Sequence, residues 1–430
     1  MAASMTVAAT AQGLGSLPEI MQPEYFSRDL ILFIEGLDLT DEQQAISEMI
    51  FADYARGFED GLNNMEAQVE IVAESVQQLG DDKQAIVTAV LAPIQDWAVQ
   101  RDVMGRRLVE NIRVILDEQQ QLAWTAFNRR LEREKHLPNG KLSGEQTNLD
   151  HVLRDLTLEP QPDTPFADAY LRWELALSES LQQRMAASTQ QLEMLKQIEG
   201  NQASDEDVRR RRSALNASVD IRNINDAAIE EWTILLGSSG PAFRKESLKR
   251  GYGRIFRTTP VERLFIAAMK LTEVTEDPTL EQAVQDLFNT YLSEVGAINT
   301  QLLETVRTWE PELEYAKIEN RIRRLRGEST LRPDDPTRKL YQQRRELGIR
   351  YAQLLRDLLG DDKFAKIDGA TRFMPRVTPP AGQKPTGGKP GGISASGGRK
   401  SSDAKLKSPE YLERKRRSGN PNSIAPGKDD

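Results

Sequence analysis

The sequence predicts an all-α protein of long amphipathic helices, packed as helical hairpins or a bundle and followed by a disordered C-terminal tail. Apolar side chains recur every three or four residues over long stretches, which places them on one face of a helix. No stretch of alternating β-branched residues favours a strand. The composition, 38% hydrophobic and 29% charged, suits helices that bury one stripe and expose their other faces.

Two apolar seams define the longest predicted helices. One seam runs from Phe58 to Leu79 in alternating steps of four and three, and the other from Val284 to Leu313, both close to a coiled-coil register. We expect Pro311 to bend the second helix near its end. The remaining helices are expected, in chain order, at 83–115 (with Pro93 kinking it or marking its first turns), 166–198, 205–236, 260–274 and 336–359, between Pro- and Gly-rich loops at 138–140, 159–165, 237–241 and 331–336.

Together these elements divide the chain into five predicted regions. Residues 1–23 are a flexible N-terminal arm or the remnant of a signal peptide. Residues 24–158, 166–274 and 279–374 are helical, and the first and third contain the helix-capping motif described below. Residues 377–430 contain nine Gly, seven Pro and seven Ser. Such a segment buries too little apolar surface to offset the entropy of ordering it, so we expect a disordered tail.

The charge is distributed unevenly between this tail and the rest of the chain. The tail has 11 Lys and Arg against 5 Asp and Glu, a net charge of +6. Since the whole chain has a net charge of −9, the residues before the tail have a net charge of −15. An acidic body repels nucleic acid and anionic lipid, so we expect no nucleic-acid binding there. The basic tail can contact anionic polymers or a membrane surface, and the alternative is a solubilising tail without a specific partner.

The N-terminus bears on where the protein acts. Ala9-Thr10-Ala11 matches the small-x-small pattern of a signal-peptide cleavage site, but no basic residue precedes Arg28. One interpretation is a signal peptide whose basic beginning is missing, which implies a periplasmic location. The other is a flexible arm on a cytoplasmic protein. The sequence contains no run of 18 apolar residues, so no membrane-spanning helix is predicted.

Few residues offer catalytic or metal-binding chemistry. The absence of Cys excludes disulfides, thiolate nucleophiles and Cys-ligated metal. His136 and His151 are the two histidines, and both are expected to be solvated because charged or polar residues surround them. The Gly-Lys and Gly-Arg sequences at 387–389 and 397–400 lack the spacing of a phosphate-binding loop. We therefore expect no enzyme activity, no cofactor and no metal site.

One short motif recurs, a small polar residue followed three positions later by Gln. In a capping box, the first side chain accepts a hydrogen bond from the first helical turn and Gln bonds back to the cap's N–H. Leu before the cap can pack onto the helix behind it. The copies are Leu39-Thr40-x-x-Gln43, Leu116-Asp117-x-x-Gln120, Leu142-Ser143-x-x-Gln146 and, without the Leu, Thr279-x-x-Gln282.

Leu-Thr-x-x-Gln at the start of a long helix resembles the signature of the LTxxQ group, the Spy/CpxP-type periplasmic proteins. Leu39, Thr40 and Gln43 match it in full, and the next two copies match it with an equivalent capping residue. The resemblance covers only these short segments and the helices after them, and this chain is far longer than a typical member. It implies helical hairpins and a chaperone or stress-sensing role. The other interpretation is that the motifs are helix caps and nothing more.

Two functions follow from these expectations. The first is a non-catalytic helical binding protein, exported and chaperone-like or stress-related, with protein partners or unfolded clients. Its five tryptophans, Trp97, Trp124, Trp173, Trp232 and Trp309, are expected to offer apolar surface. The alternative is a coiled-coil scaffold or structural protein that self-associates through its seams.

Overall fold

The chain folds into helices joined by turns. The computed structural model describes residues 21–75, 83–195, 205–325 and 327–374, and no β-strand occurs among them. The all-α prediction is confirmed. The longer helices are α1 (Ser27–Gly36), α2 (Asp41–Ser75), α3 (Lys83–Val114), α4 (Glu118–His136), α5 (Leu149–Asp155), α6 (Pro165–Leu195), α7 (Asp205–Leu235), α8 (Gly240–Gly251), α9 (Pro260–Ala268), α10 (Pro278–Leu325) and α11 (Thr337–Leu359).

Three pairs of long helices form antiparallel hairpins: α2 with α3, α6 with α7, and α10 with α11. In the first pair, Gly57 lies beside Met104 and Gly61 lies beside Trp97. A later residue of α2 therefore contacts an earlier residue of α3, as in an antiparallel pair. Aromatic pairs join the helices of each hairpin, with ring centroids 5.1–5.4 Å apart: Phe58 with Trp97, Phe166 with Trp232, and Tyr291 with Tyr351. The hairpin architecture predicted from the seams is therefore confirmed.

The two apolar seams supply buried faces of these hairpins. Phe58 and Met65 of the first seam are buried against α3, and its last members lie outside the described residues. Val284, Tyr291 and Val295 of the second seam are buried against α9 and α11, as predicted. Periodicity recovers both helices because each buries only one face.

Three local expectations need correction. The helix α10 continues through Pro311 to Leu325, so this proline lies inside the helix and not near its end as expected; the bend at Pro311 stays a prediction. The expected loop at 237–241 is already helical from Gly240, and Pro241 occupies the first turn of α8, where its missing N–H has no cost. The expected helix at 260–274 is divided into α9 and a single turn at Thr272–Thr275.

The hydrophobic interior of the described residues has three large clusters and two smaller ones. The first is formed by α1 to α4, the second by α5 to α8, and the third by α9 to α11 with the segment that follows α11. A buried ion pair links the first cluster to the second. Arg133 of α4 is 2% exposed and lies 3.3 Å from Glu174 of α6, and its guanidinium covers the ring of Trp173 at 5.1 Å.

Several predictions fall on residues that are not described. The tail at 377–430, nearly all of the N-terminal arm, and the end of the first apolar seam lie outside the described residues. In the part of the chain that is described, no helix combines the length and the apolar character needed to cross a bilayer.

Candidate functional site

The first two copies of the recurring motif both cap helices. At α2, the N–H of Gln43 donates to Oγ1 of Thr40 at 3.3 Å, and the N–H of Thr40 donates to Oε1 of Gln43 at 3.0 Å. At α4, the N–H of Gln120 donates to Oδ1 of Asp117 at 2.8 Å, and the N–H of Asp117 donates to Oε1 of Gln120 at 2.9 Å. These are the reciprocal bonds of a capping box.

The two copies also bond to each other across 77 residues of sequence. Nε2 of Gln43 donates to Oε1 of Gln120 at 2.8 Å, and Nε2 of Gln120 donates to Oε1 of Gln43 at 2.9 Å. Each amide then donates to the carbonyl that precedes the other motif's Leu: Gln43 to Ile115 at 2.8 Å, and Gln120 to Asp38 at 3.1 Å. The two segments are thus related by an approximate two-fold symmetry. We call this arrangement the glutamine joint.

The leucines of the same two copies anchor the joint in the first hydrophobic cluster. Leu39 is 4% exposed and Leu116 is 8% exposed, and both pack in the cluster that contains Phe33 and Phe127. Each motif therefore contributes an apolar anchor, a helix cap and half of an amide pair. The joint holds the α1–α2 connection against the α3–α4 connection.

The third copy does not cap a helix. Leu142, Ser143 and Gln146 lie in a turn, and the next helix begins only at Leu149. Gly144, at what would be the first helical position, has φ of +84°, which lies outside the helical region. The hydroxyl and N–H of Ser143 both donate to the carboxylate of Glu310 in α10, at 2.7 and 2.8 Å. The prediction that this copy is a cap is wrong.

The fourth copy precedes a helix, but a different residue caps it. Oδ1 of Asp277 accepts from the N–H groups of Thr279 and Leu280, each at 3.1 Å, and Pro278 starts the helix. Gln282 donates to Asp286 one turn later. Thr279 and Gln282 are therefore ordinary members of the first two turns. A carboxylate cap followed by proline is the stronger start signal, and the sequence contains it.

Buried polar groups hold the turn of the third copy between α6, α7 and α10. Asn225 of α7 is fully buried and accepts from Nε1 of Trp173 at 3.0 Å. Its amide donates to the carbonyls of Gly144 and Thr147 at 3.1 and 3.0 Å. The carboxylate of Glu145, also fully buried, accepts from the N–H groups of Lys141 and Leu142 and pairs with Arg184. These bonds fix the turn although it belongs to no helix.

A second buried pair lies beside this turn. The carboxylate of Asp226 accepts from the hydroxyl of Tyr252 at 2.7 Å and pairs with Nε of Arg307 at 2.8 Å. Burial raises the pKa of Tyr252, and so does the nearby Asp226 carboxylate. A neutral phenol therefore donates to a carboxylate whose charge is balanced by an arginine, while Nη2 of that arginine is buried without a hydrogen-bond partner among the described residues.

The outer side of the same turn forms one wall of an open cavity of about 390 Å³. The opposite wall is the end of α8 and the turn that follows it. The lining residues that can be charged are all basic: Lys141, Arg250, Arg254 and Arg257. This cavity is not predicted from the sequence, where its visible signal is Arg250-Gly251-Tyr252-Gly253-Arg254, in which glycines alternate with cationic and aromatic residues.

The histidines differ from the expectation in one case. His136, at the end of α4, is partly buried, and burial lowers its pKa to about 3, aided by the charges of Lys135 and Arg184. The prediction that it is solvated is wrong, because packing removes much of its ring from water although Lys135, its neighbour in sequence, still acts on it. His151 remains 42% exposed and its Nε2 lies 2.5 Å from the Glu134 carboxylate.

Four of the five tryptophans are also not available as surface. Trp97, Trp124, Trp173 and Trp232 are 0–9% exposed and belong to the hydrophobic clusters, while Nε1 of Trp309 donates to the carbonyl of Asp334. Large rings bury more apolar area than any other side chain, so they occupy the core. The expectation that they form a binding surface is wrong for these four, whereas Trp309 is partly exposed.

Comparison with known proteins adds no assignment to this geometry. Among residues 21–75, 83–195, 205–325 and 327–374, no three His, Cys, Asp or Glu side chains are grouped as metal ligands would be. No protein-family model, no curated protein and no solved structure matches the chain.

Proposed function

We propose that this chain is a non-catalytic helical binding protein, exported and chaperone-like or stress-related in the manner of the LTxxQ group. The glutamine joint is the observation that supports this proposal. Two helix caps that arose independently need only bonds within their own first turns. Here the Leu and Gln positions of both copies act together at one place, as expected of a family signature and not of chance capping.

The surface proposed for partners consists of aliphatic side chains on the outer face of α6. Leu171 and Leu175, one helical turn apart, are 48% and 49% exposed. Residues at i and i+4 lie on the same side of a helix, so the two form a short apolar stripe. A stripe of this kind gives weak, side-chain-tolerant contact with exposed apolar segments of an unfolded client.

An aggregation-suppression assay tests this proposal. Heated citrate synthase is the client, and light scattering is followed with increasing amounts of the full chain. We expect suppression that falls at least twofold in Leu171→Ser/Leu175→Ser. Leu122→Ser is the matched control, because Leu122 is 85% exposed but stands alone on α4. No suppression at several-fold molar excess, or equal loss in the control, contradicts the proposed function.

Cell fractionation tests the location separately. We expect the protein in the periplasmic fraction of its host. A purely cytoplasmic signal contradicts the exported role, whatever the aggregation assay gives.

The alternative function is a coiled-coil scaffold that self-associates through its seams. The seam positions described above are buried against helices of the same chain, so they are not free to pair with a second copy. Light scattering distinguishes the two functions: a monomer supports the binding protein, and a stable oligomer at micromolar concentration supports the scaffold.

A further inference from the structure

The cavity beside the turn at 141–146 has an unusual charge for this chain. The residues before the tail have a net charge of −15, yet the cavity lining includes four basic residues and no carboxylate. Its volume of about 390 Å³ falls within the range of small-molecule sites, roughly 300–1,000 Å³. The charge of the lining is therefore opposite in sign to the net charge of the residues before the tail.

Most of this positive charge is not neutralised. Arg250 pairs with Asp155 and with Glu246. In contrast, Lys141, Arg254 and Arg257 make no ion pair with any carboxylate among the described residues. Arg254 instead lies over the ring of Tyr341, 5.3 Å from its centroid. This contact fixes the direction of the guanidinium and leaves its charge available.

A buried arginine adds charge behind the cavity wall. Arg222 of α7 is 3% exposed, and its Nε and Nη1 have no hydrogen-bond partner among the described residues. Its stem packs against Gly144, a lining residue: a Cβ added to Gly144 would lie 3.1 Å from Cγ of Arg222. A buried cation without a partner is costly. It also acts through a low-dielectric interior, so it strengthens the positive potential at the wall.

The backbone of the lining allows close approach of a ligand. Gly144, Gly251 and Gly253 all face the cavity and present no side chain there. The carboxylate of Glu310 lies outside this lining and accepts two hydrogen bonds from Ser143. Arginine forks and a lysine ammonium match the oxygens and the double negative charge of a phosphate better than those of a single carboxylate.

We propose that this cavity binds a phosphate group, either as inorganic phosphate or as a small phosphate monoester. Arg254, Arg257 and Lys141 supply the charge, and Arg222 strengthens the field from behind Gly144. The site is independent of the proposed client surface on α6, and it requires no enzyme activity.

Isothermal titration calorimetry of the full chain at low ionic strength tests this site. The titrants are inorganic phosphate, glycerol 3-phosphate and, as a singly charged anion, acetate. We expect saturable binding of one phosphate per chain, weakened by added NaCl, and no saturable heat from acetate. Tighter binding of glycerol 3-phosphate assigns the remaining volume to an organic group, whereas equal binding assigns the site to free phosphate.

Two double variants with equal charge loss separate a built site from general attraction. Arg254→Gln/Arg257→Gln should weaken phosphate binding about tenfold or more, since each lost charge-assisted contact is a large one. Arg106→Gln/Arg107→Gln, on the exposed side of α3, should change it less than about twofold because only long-range charge is lost. Absence of saturable phosphate binding, or equal weakening in both variants, overturns the proposal. All four positions are exposed, and circular dichroism verifies that each variant remains folded.

Discussion

Removal of one amide from the glutamine joint should destabilise two helix starts at once. Each glutamine makes four hydrogen bonds, and two of these are the bonds between the glutamines. A hydrogen bond contributes about 0.5–1.5 kcal/mol net. For the partly exposed Gln43 we expect Gln43→Ala to cost about 2 kcal/mol, and for the more buried Gln120 we expect Gln120→Ala to cost about 3 kcal/mol.

The two substitutions should not be additive. Once one amide is gone, the shared bonds no longer exist for the second substitution to remove. The double variant should therefore lose about 1–2 kcal/mol less than the sum of the single variants, within the coupling typical of residues in contact. A double-mutant cycle isolates this difference.

Hydrogen–deuterium exchange measures the effect locally. The free energy of opening is taken from the amides of residues 37–44 and 114–121, and both segments should lose protection in either single variant. Gln119→Ala is the control, because Gln119 is exposed and lies in the same first turn as Gln120. A coupling below about 0.5 kcal/mol, or loss of protection confined to the mutated segment, would refute the joint as an energetic unit.

Two further predictions concern the protonation of His136 and the substitution of glycine by alanine in α2. As the pH falls, the unfolded chain protonates His136 before the folded chain does, because the folded pKa is lowered to about 3. The free energy of unfolding is therefore intact above about pH 6.5 and falls by up to about 1.4 kcal/mol per pH unit below it. Urea unfolding from pH 7 to 4 should show this slope in the wild type and in His151→Gln and a shallower slope in His136→Gln; equal slopes in all three would contradict the prediction. In α2, Gly57→Ala should raise the free energy of unfolding by about 0.5–1 kcal/mol through helix propensity. Gly61→Ala should lower it by about 1–3 kcal/mol, because its Cβ would lie 2.3 Å from a ring atom of the buried Trp97; urea unfolding measures both, and a stabilising Gly61→Ala would refute the close contact.

Periodicity predicted the helices because each long helix buries one stripe, and that requirement leaves its spacing in the sequence. The seam from Val284 to Leu313 is found in this way without knowledge of its partners. Capping is equally local, so Thr40 and Asp117 were identified as caps. The bonds between Gln43 and Gln120 could not be predicted in the same way, because they depend on how two hairpin connections meet.

The failures have the same physical origin. Ser143 has the right neighbours for a cap, but Gly144 adopts a positive φ and Glu310, 167 residues away, takes the hydroxyl. The basic cavity combines Lys141 with residues near 254, and only tertiary packing brings these segments together. The glycine-rich segment of its lining is visible in the sequence, whereas the excess of basic over acidic residues in the lining is not.

The length of α10 has a consequence for how the protein unfolds. Its first half contributes Val284 and Val295 to the cluster with α9 and α11, while Leu302 and Val306 pack on Leu248 and Tyr252 near the cavity. One continuous helix therefore contributes side chains to two hydrophobic clusters. Unfolding of the whole helix withdraws side chains from both clusters, so heat should melt the C-terminal half of the body and the walls of the cavity in a single cooperative step.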